Sequence, residues 1–90
     1  MAVYAYESIT VAGTAIGFTA ATMDQAVEAL VTVEAGAVRF RADGTDPTAA
    51  VGHVLEVGDV LKVRSQNDLQ KIRFIRRDAV SATLRVSFII

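Results

Sequence analysis

Leu84, Val86 and Phe88 stand two residues apart, with Arg85 and Ser87 between them. A β-strand turns successive side chains to opposite faces, so this spacing gathers the apolar groups on one side and the polar groups on the other. The same period recurs along the chain. Residues 2–11, AVYAYESITV, are rich in aromatic and β-branched types, and residues 29–34, ALVTVE, alternate cleanly. After the turn Glu34-Ala35-Gly36, AVRFRA at 37–42 sets Val38 and Phe40 against Arg39 and Arg41. VLKVRS at 60–65 repeats this, with Leu61 and Val63 against Lys62 and Arg64. TAIGFTA at 14–20, QKIRFIRR at 70–77 and SATLRVSFII at 81–90 read as strands too, with Gly13 marking a turn and Gly17 a bulge. Seven or eight strands at intervals of about ten residues predict an all-β fold, a single antiparallel β-sandwich or jelly-roll-like barrel over residues 1–90.

Helix signals are short. Thr22-Met23-Asp24-Gln25 has the spacing of a capping box and precedes Ala26, Val27 and Leu30, which predicts at most about two turns before the β-branched Val31-Thr32-Val33. Ser65-Gln66-Asn67-Asp68-Leu69 predicts one turn ahead of its strand.

Ninety residues make one domain, and such a domain buries only about 60–65% of its unfolded surface. Domains of this size lean on disulfides, metals or partner subunits. With no cysteine and one histidine, disulfides and zinc centres lose their ligands, which leaves oligomerisation. Hydrophobic residues are 52% of the chain, although fifteen of them are alanine. Phe88-Ile89-Ile90 brings large apolar groups to the chain end, where a neighbouring subunit or the protein's own sheet is expected to cover them. Charge is unevenly spread. Residues 1–38 hold Glu7, Asp24, Glu28 and Glu34 and no base, while all nine bases lie between Arg39 and Arg85 beside six acids. The halves therefore carry −4 and +3, a separation that can steer copies together. Met1-Ala2-Val3-Tyr4 has no basic leader region, and no apolar run approaches the roughly 20 residues of a membrane span.

The stretch Arg41-Ala42-Asp43-Gly44-Thr45-Asp46-Pro47-Thr48-Ala49-Ala50-Val51-Gly52-His53 collects the only proline and the only histidine. Asp43 and Asp46 offer too few oxygens for a calcium loop, and Asp-Gly after an alternating strand is turn chemistry. His53 has no nucleophile or orienting carboxylate in the pattern, so it reads as a strap across a loop. Glu56-Val57-Gly58-Asp59-Val60-Leu61 is similar to the hairpin phrase of biotinyl and lipoyl carrier domains, but neither Lys62 nor Lys71 sits in the tight turn those cofactors need. Lys71, Arg73, Arg76 and Arg77 around Phe74 make a modest basic patch in a chain of pI 5.7, better explained as a solvated or interface face than as a nucleic-acid site. No catalytic, cofactor-binding or metal-ligating residue is expected.

The run Val38-Arg39-Phe40-Arg41-Ala42-Asp43-Gly44-Thr45-Asp46-Pro47-Thr48, then Val51-Gly52-His53-Val54-Leu55 and Gly58-Asp59, resembles small β-rich structural proteins of tailed bacteriophages and prophages, with the pattern I-R-x-R-x-D-G-T-x-P-T-x-x-x-G-H. The likeness continues through Lys71-Ile72-Arg73-Phe74-Ile75-Arg76 and Ser81-Ala82-Thr83-Leu84-Arg85-Val86, and includes Ile16-Gly17-Phe18-Thr19. It departs at Asn67-Asp68-Leu69-Gln70 and at the apolar ending. The resemblance implies a virion component made in the host cytoplasm: a capsid decoration or cement protein, or a component of the spike or head–tail junction. Its implied partners are copies of itself, with a trimer preferred, and the major capsid protein or other virion proteins. Arg39, Arg41, Arg73, Phe88, Ile89 and Ile90 are the expected interface residues, the first two pairing with a neighbour's acids. The alternative is a glycan- or protein-binding module; Tyr4, Tyr6 and the four phenylalanines are expected to face the core, which argues against glycan recognition.

Overall fold

The computed structural model describes residues 2–90. Seven strands and two short helices follow in the order β1 (Val3–Val11), α1 (Ala20–Met23), β2 (Glu28–Ala35), β3 (Val38–Arg41), β4 (His53–Leu55), β5 (Val60–Val63), α2 (Gln66–Lys71), β6 (Arg73–Arg76) and β7 (Ala82–Ile89). Every pairing is antiparallel, in a four-stranded sheet ordered β1-β7-β2-β5 and a three-stranded sheet ordered β4-β3-β6. The expected all-β, sandwich-like architecture is present.

The alternation in β7 explains its place. Ala82, Leu84, Val86 and Phe88 are all fully buried, while Arg85 and Ser87 between them face out. Such a strand gains most when paired on both edges, and β7 lies between β1 and β2. Ile9 and Val11 of β1 and Val31 and Val33 of β2 complete that face of the core, opposite Val38, Leu55 and Phe74 of the smaller sheet. Phe18 joins the layers: its ring lies 5.6 Å from Phe74 and meets Phe88 edge-on at 5.2 Å. Burial of each such side chain contributes about 1.5–3 kcal/mol.

The structure corrects four local expectations. Residues 14–20 form no strand. Ile16 makes a single bridge with Phe74 through two backbone hydrogen bonds of 2.9 and 2.8 Å, and the chain then enters α1. Ala20, Ala21 and Met23 are good helix formers and lack the β-branches that fill a pleated face. The helix also ends where the capping box was expected to begin it, because Asp24 takes φ 34° and its carboxylate accepts from the Tyr4 hydroxyl at 3.1 Å. Ser65 does cap a helix, its Oγ accepting from the Asp68 amide at 3.0 Å, but that helix runs to Lys71. Buried Leu69 anchors the extra length, and the following strand shortens to Arg73–Arg76. Finally, His53–Leu55 is a strand whose three residues are too few to show a period.

Phe88 is also corrected as an interface residue. Because β7 is an interior strand, the protein's own sheets cover Phe88 completely, and no surface of it remains for a neighbour. The chain end is closed by reciprocal 3.1 Å hydrogen bonds between Ala2 and Ile90.

Candidate functional site

The outer face of the four-stranded sheet carries the most varied surface chemistry. Inward Ile9 and Val11 send Tyr6, Ser8 and Thr10 of β1 outward, and the same parity exposes Arg85 and Ser87 of β7 and Lys62 of β5. Strand register aligns these groups in rows. Tyr6 lies beside Ser87, Ser87 beside Leu30, and Leu30 beside Lys62. The neighbouring rows are Ser8, Arg85, Thr32 and Val60, and Ile89 with Glu28. Leu30 and Ile89 form the floor of a shallow concavity of about 480 Å³, with Glu28, Lys62 and Arg64 around it.

The cations on this face differ in kind. Arg85 is held by Glu34, with its Nε 2.7 Å from Oε2, and its Nη1 donates to the Ser8 hydroxyl at 2.9 Å. Hydrogen bonding to Glu34, then to Tyr6, raises the guanidinium above its ordinary pKa. Lys62 and Arg64 are exposed, and among the described residues neither side chain has a hydrogen bond or ion-pair partner. With Glu28 they leave the concavity lining at +1, two bases against one acid. Such a surface can accept an acidic group over an apolar floor.

Arg39, Arg41 and Arg73 do point outward from the smaller sheet, but their guanidinium groups are engaged within the chain. Arg39 donates from Nε to the Ala49 carbonyl at 2.8 Å and from Nη1 to the Gly52 carbonyl at 2.9 Å. Arg41 pairs with Asp43, two residues away. Arg73 Nη1 donates to the carbonyls of Gln70 and Ile72 at 3.0 and 2.8 Å. Ile89 lines the concavity, and Ile90 beside it is exposed. The six expected interface residues therefore divide into three internally bonded arginines, one core ring, one isoleucine on the mixed face and one exposed isoleucine at the chain end.

The loop between β3 and β4 is organised by those arginines. The Arg41 guanidinium and then the Thr45 amide hold the Asp43 carboxyl below the usual carboxylate range, so this contact is lost only as pH falls through that lowered value. Thr48 Oγ1 accepts from the amides of Ala50 and Val51, making a local turn. The strap expected of His53 is supplied by Arg39. His53 is itself exposed and packs on the Phe40 ring, 5.2 Å between centroids. Arg39→Ala removes the donors of two carbonyls, and amide exchange across residues 43–52 should accelerate about tenfold while β7 amides stay within about twofold of wild type, measured by hydrogen–deuterium exchange.

Tyr6, Glu28, Leu30, Lys62 and Arg64 were not singled out by sequence reasoning. For Tyr6 a signal existed: it shares parity with Ser8 and Thr10, and it is 57% exposed in the structure, against the expectation of a core position. Tyr4, at the β1 bulge, is also exposed. Alternation had set Lys62 and Arg64 on one face, but no local signal brought Glu28 and Leu30 to them, because that proximity arises from the β2–β5 and β2–β7 pairings.

Compared with protein-family models, curated proteins and solved structures, the chain matches none.

Proposed function

We propose that this protein is a structural component of a tailed-phage virion, a capsid decoration protein that acts by protein–protein contact rather than by chemistry. The observation that carries the reading is the outer face of β1-β7-β2-β5. Tyr6, Leu30, Val60 and Ile89 supply apolar area, and Lys62 and Arg64 stand beside it with no ion pair among the described residues. Apolar groups within a charged rim are the composition of docking surfaces. The motif resemblance to phage structural proteins supports the same role, and a small disulfide-free domain gains stability from binding in a repeated lattice. The contacted partner is an acidic segment of the major capsid protein or of another virion protein.

Co-sedimentation with expanded capsids tests this. The double variant Lys62→Glu with Arg64→Glu should bind at least about tenfold more weakly, with a reduced dependence on salt. Unchanged binding by that variant, or no binding by wild type, would remove the proposal.

Exposed Tyr4 and Tyr6 favour one alternative, a glycan-binding module of a spike or fibre, because ring faces at a sheet surface suit sugar stacking. Binding to a glycan array that is lost in Tyr6→Ala, without capsid binding, would select it.

A further inference from the structure

The edges of the two sheets differ in a way that names a self-partner. β4 and β5 are edge strands of three and four residues. The edge of β6 is crossed by Ile16, which bonds Phe74, and by the Ala12 carbonyl, which accepts from the Arg76 amide at 3.1 Å. β1 is nine residues long.

Register shows which of its backbone groups are unused. Ile89 accepts from Val27 on the β2 side, while Ile90 exchanges both bonds with Ala2 on the β1 side. Even-numbered β7 residues therefore bond β1, and the register pairs them with Ala5, Glu7, Ile9 and Val11. The N–H and C=O groups of Tyr6, Ser8 and Thr10 point to the free edge, where no described backbone group meets them. Natural edges are blunted by lysine, proline, shortness or bulges. From Ala5 to Val11 this strand is unbroken and contains no lysine or proline. Its one charge, Glu7, is taken up by the Thr19 amide at 3.0 Å.

We infer that β1 pairs antiparallel with β1 of a second copy across a twofold axis at Ser8, joining two four-stranded sheets into one of eight strands. That centre sets Ser8 against its own counterpart, Tyr6 against Thr10, Glu7 against Ile9 and Ala5 against Val11, and uses the whole regular stretch. Charge selects it as well: shifting the axis to Glu7 would oppose two carboxylates, whereas the Ser8 register opposes no like charges. A twofold contact is self-complementary and closes with two copies, while β1 against the β5 edge of another copy is head-to-tail and closes only if its rotation generates a ring. Seven paired residues span about 24 Å, an interface at the small end of the range, so dissociation on the order of 10 μM is expected. The inference names the self-partner within the proposed assembly role, yet it rests on β1 alone and is tested without a virion.

Sedimentation equilibrium of the purified chain should show the 9.6 kDa monomer doubling in mass across the micromolar range. Ser8→Pro removes a donor that faces the free edge and breaks no backbone bond to β7. The exposed side-chain bond from Arg85 is lost, but Glu34 still holds that guanidinium, so the fold is retained and dimerisation weakens about tenfold. A second readout does not depend on that variant folding. The chain has no cysteine, so Ser8→Cys with a short bifunctional thiol reagent should yield a crosslinked dimer, and Thr32→Cys, two strands from the edge on the same face, should not. A monomer at several hundred micromolar, a trimeric mass, association unaffected by Ser8→Pro, or equal crosslinking at Thr32 would each overturn the inference. Capsid co-sedimentation of Ser8→Pro separates this contact from the virion role, since its loss leaves Lys62 and Arg64 in place.

Discussion

Phe88→Ala is expected to destabilise the protein by about 3–5 kcal/mol. The ring has no exposed surface, meets Phe18 edge-on at 5.2 Å, and sits on the strand held from both sides by β1 and β2. Removing it costs the transfer energy of the ring and leaves a cavity that an interior strand has little freedom to collapse. A chain of this length has a total stability of about 5–13 kcal/mol. The variant therefore loses between about a quarter and all of that margin. Urea denaturation followed by circular dichroism should show the midpoint falling sharply with little change in slope. A loss below about 1.5 kcal/mol would mean that Phe88 is not the junction of the two layers, and the packing described above would need revision.

This prediction also marks how far the residues could be read in advance. Alternation at Leu84, Val86 and Phe88 told which side chains share a face, and all three are buried together. It did not tell which edges of the strand would be paired. Phe88 consequently appeared as a possible surface contact, when β7 had taken an interior place. Arg39 shows the complementary limit. Its outward direction follows from the parity of Val38 and Phe40, but the carbonyls it binds, Ala49 and Gly52, come from a loop whose return over the strand no local period encodes. The mixed face fails to show for the same reason. Lys62 and Arg64 alternate onto one face, but Glu28 and Ile89 are far from them in sequence and are brought beside them by strand register. Periodicity is local physics, whereas a site is made by non-local pairing. Tyr6 was misplaced for a different reason: its parity with Ser8 and Thr10 pointed outward, but its aromatic character led to the expectation of a core position.

Gly36→Ala is the second large effect, expected to cost about 2–4 kcal/mol. Gly36 carries the chain from β2 in one sheet to β3 in the other, at φ 70°. An L residue with a side chain pays about 1–2 kcal/mol for that left-handed conformation alone. Space adds to the penalty. A Cβ there would lie 2.9 Å from the Ala82 Cα and 3.0 Å from the Ser81 carbonyl oxygen, both backbone atoms at the entry to β7. Neither can move without disturbing the strand on which the larger sheet is built. Gly44 isolates the two contributions: its φ is 89°, yet nothing lies within 4 Å of a Cβ added to it. Gly44→Ala should thus cost only the conformational part, about 1 kcal/mol, and Gly36→Ala clearly more. Parallel urea titrations of the two variants decide the matter, because equal losses would show that backbone strain alone governs both positions and that the contact between Gly36 and β7 has no energetic weight.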